Sequence, residues 1–222
     1  MDLTPVWLTL KLAAVTTVIL LVISTPLSWW LAHTKNRWSA VVEAVVALPL
    51  VLPPTVLGFY LLIILGANGA LGEPWQAMTG SSLTFTFTGL AIASVLYSLP
   101  FVVQPLQNSF SAIGRKPLEV AWCLRASRLD AFMNVIVPLS IRGYITAAVL
   151  GFTHTMGEFG VVLMVGGSIP GETQVLSIAI YEHVEVLDYS TAHALSAGLL
   201  AFTFIVLLIV YVLNRRFPGH EY

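Results

Sequence analysis

The sequence predicts an all-α integral membrane protein with five transmembrane helices. Hydrophobic residues make up 57% of the 222 positions and charged residues only 9%, whereas about a quarter of the residues in a soluble domain are charged. Five stretches are also apolar over the roughly 20 residues that a helix needs to cross hydrocarbon. Helices are expected rather than a barrel, because the chain lacks the alternating ten-residue segments of membrane strands.

The predicted spans form one transmembrane domain over residues 1–222. The N-terminus has no basic residue before the first span, and that apolar stretch exceeds the roughly 7 to 15 residues of a signal-peptide core, so we expect it to be retained. The second, third and fifth spans contain no charged residue. The spans lie approximately at residues 6–32, 44–65, 85–110, 141–165 and 192–213.

The basic residues predict the orientation, because Lys and Arg near span ends stay on the cytoplasmic side. The connections 66–84 and 166–191 contain Glu and Asp but no Lys or Arg. The N-terminus is therefore expected in the periplasm, and the C-terminus and the loop 111–140 in the cytoplasm. All basic residues except Lys11 fall on the predicted cytoplasmic side: Lys35, Arg37, Arg115, Lys116, Arg125, Arg128, Arg142, Arg215 and Arg216.

Composition excludes several functions for this chain. A net charge of −1 argues against a nucleic-acid partner. The single cysteine, Cys123, rules out a disulfide within the chain and a multi-cysteine metal site. No Lys follows a glycine, as the phosphate-binding loop of an ATPase requires. We therefore expect no catalytic residue, metal or cofactor here, and any ATP hydrolysis belongs to another chain.

The loop 111–140 is predicted to contain a short amphipathic helix. Pro117 suits a first helical turn, Glu119 lies near its positive end, and Pro138 marks the approach to the next span. Apolar residues recur among the charged ones at near-helical spacing. Such a helix either lies in the lipid headgroups or fills a groove in a soluble partner.

The same loop resembles the EAA loop of ATP-binding-cassette importer permeases. That pattern reads E-A-A, three residues, G, nine residues and I-x-L-P, and it aligns without a gap from Glu119 to Pro138. Val120 replaces an Ala, and Val135 and Val137 replace Ile and Leu. Arg125 stands where the family has Gly, which adopts a left-handed turn freely. Either the turn is less bent here, or Arg125 makes a specific contact.

The resemblance implies that this loop couples the membrane domain to ATPase subunits. Trp122 and Phe132, with Leu124, are expected to supply apolar contact, while Glu119, Arg125 and Arg128 set register and specificity. The expected coupling residues are Glu119, Ala121, Trp122, Arg125, Ala126, Arg128, Phe132 and Pro138.

A second resemblance concerns the run Gly157-Glu158-Phe159-Gly160 and the segment that follows it. This region, together with the Pro-rich second span, is similar to the molybdate and sulfate importer permeases, and the chain's small size favours the molybdate branch. The resemblance implies import of molybdate or tungstate across a bacterial inner membrane, through the alternating access of a homodimeric pore. Its implied partners are a second copy, two cytoplasmic ATPase subunits that hold ATP and Mg, a periplasmic oxyanion-binding protein and membrane lipids.

Three alternatives remain at this point. A sulfate or thiosulfate permease would share the same motifs. A proton-coupled carrier would use His154 and Glu158 as a relay. A membrane scaffold or receptor would bind partners without transport.

Polar and helix-breaking residues in the spans are the candidate pathway. His154 and Glu158 are four residues apart and would share one face of a helix, turned to the protein interior. Glu158 is either a gate or a lock between helices, and its carboxylate would repel an oxyanion. The expected pathway or gate residues are Pro53, Pro54, Thr55, His154, Gly157, Glu158 and Gly160, with Ser94 and Ser98 as further polar lining.

Two surface features complete the predictions. Residues 168–171 suggest a turn and 175–186 a short amphipathic helix on the outer face, either a docking surface or a solvated acidic face. Aromatic residues are expected to anchor the chain at the lipid interface: Trp7, Trp29, Trp30, Trp38, Trp75 and Tyr211.

Overall fold

A computed structural model describes residues 2–34 and 36–216, with side chains described as far as residue 212. Lys35 and the side chains of Arg215 and Arg216, used above for orientation, lie outside this description. The regular elements within it are all helical, as predicted. In chain order they are α1 (Thr4–His33), α2 (Arg37–Val51), α3 (Pro54–Leu65), α4 (Gly72–Thr79), α5 (Phe87–Ile113), α6 (Lys116–Cys123), α7 (Arg128–Ala131), a π-helix (Phe132–Ile136), α8 (Val137–Leu139), α9 (Ile141–Met156), α10 (Gly160–Gly166), α11 (Leu176–Glu185) and α12 (Tyr189–Arg216).

Three helices of the described part, α1, α5 and α12, are long and apolar enough to cross a membrane. Two bent helix pairs raise the number to five if each pair counts as one span. These pairs are α2 with α3, bent by 113°, and residues 128–139 with α9, bent by 72°.

The second predicted span is not one straight helix. Its helical structure begins at Arg37, earlier than residue 44, and breaks between Val51 and Pro54. Leu52 and Pro53 are extended there, with ψ of 138° and 135°. The residue before a proline is driven out of the helical region, and each proline lacks an N–H donor. The predicted proline break is confirmed at Pro53 and Pro54, whereas Pro49 lies inside α2 without ending it.

The fourth predicted span also contains a break in its helical structure. Helix α9 stops at Met156, and α10 begins only at Gly160. Gly157 ends α9 through a bond from its N–H to the carbonyl of His154 (3.0 Å). Glu158 therefore lies in a non-helical break.

The loop 111–140 contains the predicted short helix as α6, with Pro117 in its first turn. Leu118 and Ala121 of α6 are buried in a cluster shared with α1, α5 and α9. This core ties the loop to the membrane helices. Its buried members are Leu20, Val102, Leu106, Phe110, Leu118, Ala121, Ala131, Ile136 and Ala147.

Helix α12 contributes little to the interior. None of the 18 residues in its most apolar stretch is buried, whereas 56% of the most apolar 18-residue stretch of α5 is buried. Helix α5 is therefore the central element of the chain. The short helix predicted over residues 175–186 is confirmed as α11, and α4 was not predicted.

Candidate functional site

A cavity of about 530 Å³ lies where the start of α3 meets α5 and the break between α9 and α10. This volume falls within the roughly 300–1,000 Å³ of small-molecule sites. Six predicted pathway residues line the cavity: Pro54, Thr55, His154, Gly157, Glu158 and Gly160. Pro53 does not line it and instead precedes the first turn of α3. The other lining residues are Tyr97, Thr153, Phe159, Leu163 and Met164.

The lining residue Glu158 is buried, with only 3% of its surface exposed. Ser94 of α5 donates a hydrogen bond to its Oε2 (2.6 Å), and Ser98 donates to its Oε1 (2.5 Å). Ser98 also contacts Thr155 Oγ1 at 2.9 Å. We call Ser94, Ser98, His154, Thr155 and Glu158 the Glu158 cluster. It satisfies a polar group that would otherwise be costly to bury.

His154 completes the cluster from the last turn of α9. Its Nδ1 lies 2.9 Å from Ser98 Oγ and 3.5 Å from Glu158 Oε1. The ring stacks on Phe101, with centroids 3.8 Å apart, and tilts against Tyr97 at 4.9 Å. The prediction that His154 and Glu158 lie together is confirmed, although a helix break rather than a shared helical face brings them together.

One face of α5 supplies most of these partners. Ser94, Tyr97, Ser98 and Phe101 follow the i, i+3, i+4, i+7 spacing of one helical face. The sequence predicts the two serines as polar lining of the pathway but does not single out the two aromatic residues. Ser94 and Ser98 are in fact fully buried, and their hydroxyls hold the carboxylate. A polar and aromatic stripe on an otherwise apolar helix was the signal that could have identified the whole set.

The break between α9 and α10 is also held by a hydrogen bond from α11 and by close packing against α3. Ser177 of α11 donates its hydroxyl to the carbonyl of Glu158 (2.5 Å). A Cβ at Gly160 would come within 2.9 Å of Pro54 Cβ, so a glycine is needed where α10 approaches α3. Gly157 has more room, because the nearest atom to such a Cβ would be the carbonyl of His154 at 3.7 Å.

The loop 111–140 presents a mixed surface around α6. Glu119 and Trp122 are exposed, and Leu124 has 79% of its surface exposed. Ala121 is buried, so it anchors α6 rather than offering a free surface. Arg128 and Pro138 are exposed, and Ala126 is half-buried.

Arg125 adopts the left-handed conformation, with φ of 65°. The N–H of Arg125 binds the carbonyl of Trp122 (2.9 Å), and the N–H of Ala126 binds that of Ala121 (3.0 Å). These two bonds define a Schellman motif, with Arg125 at the position that usually holds glycine. The sharp turn is therefore retained. The side chain of Arg125 is exposed and forms no ion pair or hydrogen bond with the described part of the chain.

Phe132 and Trp29 lie inward, contrary to their predicted roles. The Phe132 ring packs against Trp29 at 5.2 Å and against Phe110 at 6.2 Å between centroids. Trp29 also contacts His33 at 3.8 Å. Phe132 therefore supports the loop from within, and Trp29 belongs to the interior. The wide turn of the π-helix sets the direction of Phe132, which periodicity alone does not reveal.

Residues 24–218 match the family described as the binding-protein-dependent transport system inner membrane component. The chain belongs to this family. It is thus an inner-membrane component of a transport system, in keeping with its long apolar helices. Family membership agrees with the resemblance found in the EAA-like loop.

Two curated relatives locate the chain within the family. It is 57% identical over 218 residues to the molybdenum transport system permease protein ModB of Azotobacter vinelandii, covering 98% of this chain and 96% of that protein. It is 31% identical over 191 residues to the sulfate transport system permease protein CysT of Escherichia coli K12, covering 86% of this chain and 69% of that protein. The molybdenum protein is clearly the more similar of these two.

The fold also resembles a solved structure. A chain of a bacterial alginate ABC transporter, crystallised with an alginate-bound periplasmic protein, superimposes with a TM-score of 0.75. The match covers 96% of this chain and 78% of that chain, at 14% sequence identity. At this identity the likeness supports the fold of an ABC transporter subunit.

Proposed function

We propose that this chain is the permease subunit of an ATP-driven importer that moves molybdate across the bacterial inner membrane. The 57% identity to ModB of Azotobacter vinelandii, over almost the full length of both proteins, carries this proposal. Tungstate, which forms the same tetrahedral dianion, is the expected second substrate. In this proposal the five spans place the N-terminus in the periplasm and the coupling loop in the cytoplasm.

The cavity is the proposed section of the substrate path within one subunit. Thr55 and Tyr97, which carry hydroxyl groups, line it beside His154. Hydroxyl donors suit a transported anion, because they bind it without the strong charge that would prevent release. The carboxylate of Glu158 is engaged by Ser94 and Ser98, which reduces its repulsion of an anion.

ATP hydrolysis is assigned to separate subunits, with ATP and Mg bound there. Two ATPase subunits, a second copy of this chain and a periplasmic oxyanion-binding protein complete the proposed transporter. The alginate transporter that shares this fold was crystallised with its own periplasmic protein. The homodimer would place two cavities around one central pore.

Helix α6 is the proposed contact for the ATPase. Its exposed Glu119 and Trp122 form the outer face, whereas Leu118 and Ala121 anchor the inner face in the core with α1 and α5. A displacement of α6 would therefore reach α5 through packed side chains. Since α5 carries Ser94 and Ser98, the movement would then act on the Glu158 break.

The experiment is uptake of labelled molybdate by the reconstituted transporter, with and without ATPase subunits and binding protein. We expect uptake that requires both partners and persists when the proton gradient is collapsed. Excess unlabelled sulfate should compete weakly. Strong competition by sulfate would favour the sulfate permease alternative, and gradient-dependent uptake without ATP would favour the ion-coupled carrier.

The coupling role is tested with Glu119→Lys. Reversing this charge on the exposed face of α6 should lower molybdate-stimulated ATP hydrolysis and uptake by about tenfold, as expected for loss of roughly 1.4 kcal/mol at an interface. Glu73→Lys, an equal change at an exposed site on α4, is the matched control and should leave both rates unchanged. Equal behaviour of the two variants would refute the assignment of α6.

A further inference from the structure

The two ring nitrogens of His154 have different surroundings. Nδ1 is hydrogen-bonded to Ser98 Oγ at 2.9 Å and lies 3.5 Å from Glu158 Oε1. Nε2 has no hydrogen-bond partner among residues 2–34 and 36–212. The side chain lines the cavity and is 19% exposed. Nε2 is thus the polar atom of the ring that remains available to a molecule inside the cavity.

The hydrogen-bond network determines whether Nε2 of the neutral ring is a donor or an acceptor. Ser98 has one hydroxyl hydrogen, which it donates to Glu158 Oε1 at 2.5 Å, so its oxygen accepts from Nδ1–H. A neutral imidazole with hydrogen on Nδ1 carries a lone pair on Nε2. That lone pair repels an oxyanion. A second proton converts Nε2 into a charged donor, and the adjacent Glu158 carboxylate balances the charge.

Among the described residues, the surroundings of His154 offer no other source of positive charge. Tyr97 of α5 and Glu158 of the break are the titratable side chains in contact with the ring. Within the described residues, α1, α3, α10 and α12 make no ion pair, hydrogen bond or ring contact with it. The cavity lining contains no Lys or Arg. His154 is therefore the lining residue that can become cationic.

We propose that protonated His154 donates its Nε2–H to the oxyanion as it crosses the cavity. Thr55, which also lines the cavity, supplies a neutral hydroxyl beside this switchable charge. A cation that can lose its proton binds the anion and still permits its release. This inference rests on the proposed function, since it names a residue that recognises the oxyanion in the same path.

The test compares wild type with His154→Arg, which carries its charge at every pH used. Both are assembled with ATPase and binding protein in liposomes held at equal internal and external pH. Labelled molybdate uptake is measured from pH 5.5 to pH 8, where histidine side chains titrate and molybdate remains a dianion. The ratio of wild-type to His154→Arg uptake cancels the pH responses of the partner subunits. His154→Lys replaces the Arg variant if the latter does not assemble.

We expect this ratio to fall about tenfold from pH 5.5 to pH 8, since loss of a charge-assisted hydrogen bond has an effect of that order. His154→Gln should transport slowly at both ends of the range. His183→Arg, which changes a histidine of α11 outside the cavity, is the matched control and should give a ratio to wild type that is constant with pH.

Three results would overturn the inference. A wild-type to His154→Arg ratio that stays constant with pH would show that residue 154 supplies no titrating donor. Wild-type uptake by His154→Gln across the range would show that no charge is needed there. Complete lack of ATP-dependent uptake by wild type would instead refute the proposed function itself, and this inference with it.

Discussion

Replacing Glu158 should measure how strongly its carboxylate holds α5 to the break between α9 and α10. Glu158→Ala removes the acceptor of two buried serine hydroxyls, at 2.6 Å from Ser94 and 2.5 Å from Ser98. Hydrogen bonds to charged groups contribute about 1.5–3 kcal/mol each. Ser98 keeps Thr155 as an alternative partner at 2.9 Å, whereas Ser94 has no second partner among the described residues.

The expected loss in free energy of unfolding is therefore dominated by one orphaned hydroxyl. We expect Glu158→Ala to lower the free energy of unfolding by about 2–3 kcal/mol. This value includes the whole contribution of the hydrogen bond from Ser94 and a small part of that from Ser98. Glu158→Gln keeps one acceptor oxygen and should cost about 1 kcal/mol. A double-mutant cycle between Ser94→Ala and Glu158→Gln should give a coupling energy above 0.5 kcal/mol, as contacting residues do.

The assay is reversible unfolding of the purified protein in mixed micelles, followed by tryptophan fluorescence. Glu185→Gln is the control, because that exposed carboxylate accepts only the Tyr181 hydroxyl at 2.6 Å. It should change stability by less than about 0.5 kcal/mol. A Glu158→Ala variant as stable as this control, with no coupling to Ser94, would refute the locking role. Lost uptake with unchanged stability would identify Glu158 as a gate.

Two further predictions concern the ends of helices. Arg125→Gly should stabilise the turn after α6 by about 1 kcal/mol, because glycine adopts its positive φ without strain. Arg128→Gly should destabilise α7 by a similar amount. Amide hydrogen exchange of residues 116–131 measures both effects, and protection that falls in both variants would contradict backbone strain at Arg125. Hydrogen bonds from the hydroxyls of Thr191 and Ser190 and from the backbone of Thr191 lower the pKa of Asp188 to about 2. Its contribution to α12 should be complete above about pH 4 and lost as the pH falls toward 2, whereas Asp188→Asn should remove this dependence. Equal protection of the first-turn amides of α12 at pH 4 and pH 2, relative to intrinsic exchange at each pH, would contradict it.

Sequence patterns predicted the helical fold because hydrophobicity and proline chemistry act locally. The break at Pro53 and Pro54 and the short helices α6 and α11 follow from neighbouring residues alone. The grouping of Thr55 with His154 and Glu158 was also predicted. It follows from the rule that ionisable groups within a membrane face the protein interior.

The remaining features depend on contacts between distant segments. The break at Glu158 needs hydrogen-bond donors on α5 and α11, which no local pattern specifies. Ser94 and Ser98 were expected in the cavity, but their hydroxyls turn to a carboxylate 64 and 60 residues away. Phe132 turns inward because a π-helix changes its direction. In each case tertiary packing, rather than intrinsic propensity, decides the position.

The hydrogen bonds between α5 and Glu158 have a consequence for the insertion of the chain into the membrane. A carboxylate entering the bilayer without partners costs about 2.5–3.5 kcal/mol on insertion scales, and α9 and α10 are only 16 and 7 residues long. Neither is long enough to insert stably on its own. Helix α5 precedes them in the chain and brings the two serines that receive the carboxylate. The two serines of α5 are therefore synthesised before the carboxylate that they bind. Folding within the membrane can then proceed from the N-terminus.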